Sequence, residues 1–151
     1  MSNLNIPPPL QGLFWGLSMW AVSKILGGLS FSFTLQKPLG FAFIGIGLCL
    51  DLISIYGFRT ARTTVNPIKI EKASSLVTTG LYRMSRNPMY LGLALILTGW
   101  TIILGNPVNI ALLGLFIVFM NRLQIKPEER ILELKFGQEY RDYKARVRRW
   151  L

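Results

Sequence analysis

Three groups of residues in this chain have types that chemistry can use. The first is a polar stretch in mid-chain. It reads Thr63-Thr64-Val65-Asn66-Pro67, then Leu76-Val77-Thr78-Thr79-Gly80-Leu81-Tyr82, then Arg86-Asn87-Pro88-Met89-Tyr90-Leu91-Gly92. The second is the acidic pair Glu128-Glu129. The third is Asp51, an acid inside an apolar run. An acid at membrane depth is a functional candidate by default. Each group also has a plain structural reading. Gly80 suits a turn and Pro88 a helix start. Tyr82 and Tyr90 suit interfacial anchoring. Glu128 and Glu129 suit a helix N-terminus, where acids complement the dipole. Asp51 suits a partner role for Ser54 or for an arginine reaching in from a basic loop. The missing residue types narrow the chemistry further. The chain has no histidine and one cysteine, Cys49. That removes the usual imidazole base and the commonest metal ligand. No zinc or haem site, and no metal partner, is expected.

The elements that would position these residues are apolar. Leu10–Leu29 and Leu39–Phe58 are each about 20 residues, enough to cross a hydrocarbon core of about 30 Å. Met89–Leu104 and Val108–Leu123 are shorter, at about 16 residues. Gly105-Asn106-Pro107 separates them, so they read as a tight helical hairpin. After Lys126 the character changes. Pro127 can start a helix with Glu128 and Glu129 in its first turn. Leu132, Phe136, Tyr140, Tyr143, Val147 and Trp150 then recur at spacings of three and four, one apolar stripe. Asp142 and Arg146 stand at i,i+4 and are expected to pair. The fold expected is an all-α integral membrane bundle in a single domain, 1–151. It has about four transmembrane helices, at 10–29, 39–58, 89–104 and 108–123. A cytoplasmic loop spans 59–88, and a cytoplasmic amphipathic helix spans 127–147.

Charge gives the orientation. Of 17 Lys and Arg, six lie between Arg59 and Arg86 and nine between Arg122 and Arg149. The 30–38 loop carries only Lys37, and the 105–107 turn carries none. Basic segments stay cytoplasmic, which places both termini inside. The net charge of +10 then reflects topology and attraction to anionic membrane lipids, and no nucleic-acid partner is expected. Met1–Pro9 has no basic residue, so the first apolar segment reads as a retained span and not as a cleaved signal.

The ordered set of motifs is more specific than any one of them. Leu76-Val77, Gly80 and Tyr82 are followed by Arg86-Asn87-Pro88, Tyr90 and Gly92. After the apolar hairpin come Glu128-Glu129, Leu132, Phe136-Gly137, Tyr140 and Tyr143. Over about residues 59–147 this order resembles the isoprenylcysteine carboxyl methyltransferase and phospholipid methyltransferase superfamily of membrane enzymes. The resemblance implies S-adenosylmethionine as cofactor, a class 2.1.1 methyl transfer at the cytoplasmic face, and a lipophilic or small acceptor. It implies that Ser74, Ser75, Leu76, Val77, Tyr82, Asn87, Pro88, Met89 and Tyr90 line the cofactor, with Glu128 closing the site. The residue types suit that role. A tyrosine face attracts a sulfonium, and a carboxylate accepts from ribose hydroxyls or an α-ammonium. No catalytic residue is assigned, because the cofactor brings an activated methyl and the protein supplies alignment and exclusion of water.

Two departures bear on the acceptor. Eukaryotic carboxyl methyltransferases have His where this chain has Asn87. The Asn form resembles bacterial members, which implies a bacterial inner membrane. The carboxyl methyltransferases also carry an Arg four residues before the first matched Glu, to hold the substrate carboxylate. Here that position is Gln124, a neutral amide. Gln124, Asp51 and Arg86 are the acceptor-side candidates, and amine, thiol and carboxylate acceptors all stay open. The alternative is a non-enzymatic helical membrane module whose basic face binds anionic lipid or a partner protein.

Overall fold

The computed structural model describes residues 7–60 and 75–151. Ser74 and the loop residues 61–73 lie outside that range. Among the described residues the fold is helical: α1 Pro8–Ile25, α2 Gln36–Thr60, α3 Pro88–Leu104, α4 Val108–Phe119, α5 Lys126–Phe136 and α6 Gln138–Arg146. Short 3-10 turns stand at Gly27–Leu29 and Gly80–Arg83.

The helix ends follow local chemistry. Prolines open α1 and α3, where a missing N–H costs nothing. Gly105, at φ 63°, ends α3 in the left-handed region. Gln36 Nε2 then donates to the free carbonyls of Ile102 (2.8 Å) and Ile103 (3.1 Å). Asn106 Oδ1 accepts from the Val108 N–H at 3.1 Å and starts α4. The expected hairpin between 89–104 and 108–123 is therefore formed.

The closest packing joins α2 to α3, antiparallel. Gly40 lies against Gly99, and Gly47 against Gly92. A methyl group on Gly40 would stand 2.8 Å from the Gly99 carbonyl oxygen, and one on Gly47 2.5 Å from that of Gly92. Small residues let the two backbones meet, as in other membrane helix pairs. Gly45, two residues before Gly47, meets nothing within 4 Å of where a methyl group would stand. The core gathers Met19, Tyr90, Leu93, Leu97, Phe116, Met120 and Ile125. Buried polar bonds thread it: Asn109 Nδ2 donates to Ser23 Oγ at 2.9 Å, and Trp100 Nε1 to the Gly16 carbonyl at 3.0 Å.

The outer surface is apolar. Leu13, Phe14, Phe41, Leu52, Ile110 and Leu115 are all exposed, and so is Cys49, which does not pack in the interior. Water would not support such a surface, whereas a bilayer does. Among the described residues two helices are long and apolar enough to cross a membrane: Gln36–Thr60 and the continuous stretch Val108–Phe136. Only 17% and 28% of their most apolar windows are buried, unlike the core helix of a soluble protein. Pro88–Leu104 is apolar but shorter.

Several expected boundaries are corrected. The first helix ends at Ile25, not 29, because Gly27-Gly28 breaks it. The second runs 36–60, beyond the expected 39–58 at both ends. The span expected at 108–123 does not stop before Pro127. It continues into α5 through a wide π turn at Met120–Ile125. There the Lys126 N–H reaches back five residues to the Asn121 carbonyl. Pro127 has no N–H and would clash in a regular α-helix, and a wider turn accommodates it. The single tail helix expected at 127–147 is instead two, broken at Gly137. Its φ of 53° and ψ of −120° suit glycine alone. The Asp142–Arg146 pair does not form. Arg146 Nε donates to the Asp142 backbone carbonyl, while Gln138 Nε2 takes the carboxylate at 2.7 Å.

Candidate functional site

One end of the bundle brings α1, α2, α3, the π turn, α5 and the 75–87 segment together around buried polar groups. Gln124 and Glu128 are four residues apart, so both point inward. Gln124 Nε2 donates to Glu128 Oε1. Tyr90, in the first turn of α3, donates its hydroxyl to the same oxygen at 2.6 Å. Gln11, near the start of α1, donates its amide to Gln124 Oε1 at 3.1 Å. Gln11, Gln124 and Tyr90 are each buried. A carboxylate with two donors on one oxygen is held in a fixed direction.

Tyr82 approaches from the 3-10 turn at Gly80–Arg83. Its ring stands edge-on to Phe58 at 5.2 Å. Its hydroxyl lies within electrostatic range of Ser54, Asp51 and Glu128. Burial, reinforced by the Tyr143 phenol, pushes the Tyr82 hydroxyl well above the usual phenol range. It therefore stays a neutral donor at physiological pH. Asp51 sits beside Gly92, where an added methyl would stand 2.2 Å from Asp51 Oδ1. That buried oxygen has no hydrogen-bond donor among the described residues.

A second polar cluster backs the first. Arg86 Nη2 meets Glu129 Oε1 at 2.8 Å, and Arg149 Nη2 meets Glu129 Oε2 at 2.7 Å. The hydrogen bond to Glu129 strengthens the Arg149 guanidinium's hold on its proton. The segment after α6 folds back over the 82–87 turn. The Arg86 N–H donates to the Arg148 carbonyl at 3.0 Å. Asn87 Nδ2 and Ser85 Oγ donate to the Arg149 carbonyl at 3.0 and 3.3 Å. Tyr143 donates to the Tyr82 carbonyl at 2.7 Å.

Among the candidates from sequence, Tyr82, Tyr90, Gln124, Glu128 and Asp51 converge. Pro88 is buried at the start of α3, with Met89 beside it. Ser75, Leu76 and Val77 lie on the approach to the 3-10 turn, with Val77 buried. Ser74 is outside the described residues. Asn87 turns to the strap formed by residues 147–150, and the Arg86 guanidinium turns to Glu129 and the Lys144 carbonyl. Sequence reasoning missed Gln11, Ser85 and Arg149. Gln11 carried a usable signal, a lone amide at the start of an apolar segment. Arg149 carried none, being one of nine cations in the tail.

The model of the phospholipid methyltransferase family matches residues 35–139. The chain belongs to the phospholipid methyltransferase family. The match contains every converging residue except Gln11, and leaves α1 and the strap outside it. Among individual relatives of this family member, an uncharacterised Haemophilus influenzae protein is 57% identical over 65 residues, covering 42% of this chain and all of the relative. A Tribolium castaneum protein-S-isoprenylcysteine O-methyltransferase is 36% identical over 111 residues, covering 68% of this chain and 39% of the relative. A probable rice protein-S-isoprenylcysteine O-methyltransferase is 29% identical over 108 residues, covering 72% and 56% respectively. The chain thus spans 56% of the length of the rice relative and 39% of that of the Tribolium relative.

Proposed function

We propose that this chain is a single-domain S-adenosylmethionine-dependent methyltransferase working at the cytoplasmic membrane face on a lipophilic or small acceptor. The observation that carries the reading is the Tyr90–Glu128 pair. Two residues that the family resemblance assigns to the cofactor lie 38 positions apart and share a hydrogen bond in a buried polar cluster. The residues present fit the cofactor chemically. Glu128 offers a carboxylate to an ammonium or to ribose hydroxyls, and Tyr82 and Tyr90 offer aromatic faces to a sulfonium. When bound, that cofactor supplies an activated methyl group. The chain's own part is positional. Tyr90 and Gln124 aim the carboxylate, Tyr82 holds a neutral hydroxyl beside Ser54, and the surrounding helices exclude water.

Acceptor choice falls to the same pocket. The nearest arginines, Arg86 and Arg149, are committed to Glu129. Gln124 spends its donor on Glu128. Among the described residues no side-chain cation is left free beside Asp51 and Glu128 to pair with an entering carboxylate, and leaving it unpaired would cost several kcal/mol. A neutral or amine acceptor is therefore favoured over a prenylcysteine carboxylate.

Titration of purified protein with S-adenosylhomocysteine tests the cofactor reading. Binding is expected, and Tyr90→Phe and Glu128→Ala should each weaken it by roughly ten- to a hundredfold, the worth of a charge-assisted bond of about 1.5–3 kcal/mol. No binding to the folded native protein would refute the reading. Binding untouched by both substitutions would move the site elsewhere.

A further inference from the structure

The helix that carries Gln124 and Glu128 inward also has an outward side. Its exposed positions include Ile110, Gly114, Val118, Arg122, Lys126 and Arg130, each four residues after the last. The ridge is apolar as far as Val118, cationic at Arg122, Lys126 and Arg130, and apolar again at the exposed Leu134 near the end of α5. The change falls within one turn, about 6 Å of rise. Leu115, beside the upper ridge, is equally exposed. None of Arg122, Lys126 and Arg130 joins an ion pair among the described residues, whereas Arg86, Lys144 and Arg149 do. Lys126 and Gln124 are two positions apart, so the cations project away from the pocket.

We propose that Arg122, Lys126 and Arg130 form a binding row for the phosphates of anionic phospholipid headgroups in the leaflet that borders the candidate site. The physical case rests on the abrupt boundary. A lipid-facing helix surface that turns from apolar to cationic within one turn crosses from hydrocarbon to headgroups there. A headgroup layer is about 5–8 Å thick on each side of the core, and the row rises about 12 Å from Arg122 to Arg130. Arg122 can reach down toward the phosphates along its apolar stem while Arg130 reaches back. Arginine also takes phosphate oxygens in pairs. The remaining cations of the tail lie on α5, on α6 and in the segment after it, and several are already engaged: Lys144 with Glu133, Arg141 with Gln138, Arg146 with a backbone carbonyl and Arg149 with Glu129. A located row differs from a diffuse basic face, and the difference can be measured. The row is independent of the methyl-transfer reading, so either can fail alone.

The experiment compares spin-labelled phosphatidylglycerol with spin-labelled phosphatidylcholine for association with the full chain in mixed vesicles. The native protein should prefer the anionic lipid. Replacing the row together, Arg122→Gln, Lys126→Gln and Arg130→Gln, should reduce that preference on the order of tenfold. A control with the same loss of charge, Lys135→Gln, Arg141→Gln and Arg146→Gln, should keep most of it. S-adenosylhomocysteine binding or helical content checks that each variant is folded, and Arg130→Gln alone serves if the triple variant is not. Equal loss in both triple variants would overturn the row in favour of a diffuse field. Absence of any preference in the native protein would overturn it outright. Displacement of the labelled lipid by millimolar inorganic phosphate would reassign the site to a free anion.

Discussion

Glu128 receives two donors on one oxygen because three helices and a widened turn agree on where that oxygen sits. Gln11 is the outermost member of the arrangement and the one contributed by α1. Its amide fixes which way round the Gln124 amide stands, with the oxygen toward α1 and the nitrogen toward Glu128. Without Gln11, the Gln124 oxygen loses this donor in a buried place. Gln11→Leu should therefore destabilise the protein by about 1–2 kcal/mol, within the range for hydrogen bonds between membrane helices. It should also loosen S-adenosylhomocysteine binding, because a freed Gln124 no longer holds Glu128 in one direction. Equilibrium unfolding in mixed micelles and calorimetric titration measure the two effects. Unchanged values in both would make the Gln11–Gln124 contact incidental. This residue was visible in the sequence only as an isolated amide. Nothing in its surroundings there pointed to a partner 113 positions away.

At the scale of elements, α2 and α3 were legible because long apolar runs and Pro88 mark them locally. The joining of α4 to α5 was not. Pro127 is a local stop signal, and the π turn that absorbs it leaves no trace in composition. The break at Gly137 was hidden for a similar reason. The apolar stripe from Leu132 to Trp150 continues across it, so periodicity alone draws one helix. Sequence does not separate Gly47, which meets α3, from Gly45, which meets nothing, since glycines look alike there and only their neighbours tell them apart. That distinction is testable. Gly92→Ala would set a methyl 2.2 Å from Asp51 Oδ1 and 2.7 Å from the Gly47 carbonyl oxygen. The helices must then part, at a cost of about 1–3 kcal/mol typical of overpacking. Gly45→Ala meets open space and should leave stability within about 0.5 kcal/mol. Thermal unfolding in detergent ranks the two. Equal effects would mean that the glycine contacts do not set the spacing of the helices.

At the scale of the molecule, charge, apolar surface and site must share one orientation. The polar cluster around Glu128 lies at the end of the bundle where α2 ends and where the basic tail follows α4. The reading that both termini are cytoplasmic predicts cytoplasmic signal from a reporter fused at Leu151, and external signal from one in the 30–38 loop. An external reading at Leu151 would remove the pocket from any cytoplasmic cofactor. The strap over the 82–87 turn adds a constraint of time. Ser85 and Asn87 are held by a carbonyl 64 and 62 residues further along the chain. At about 5–20 residues per second of synthesis, the turn waits roughly 3–12 s for its fastener. Helix α3 is made and its hairpin closed within that interval, while Arg86 has neither Glu129 nor Arg149 to bind. The residues of the helical hairpin are thus made before those that fasten the 82–87 turn, so the turn depends for its shape on chain that follows it by more than 60 residues.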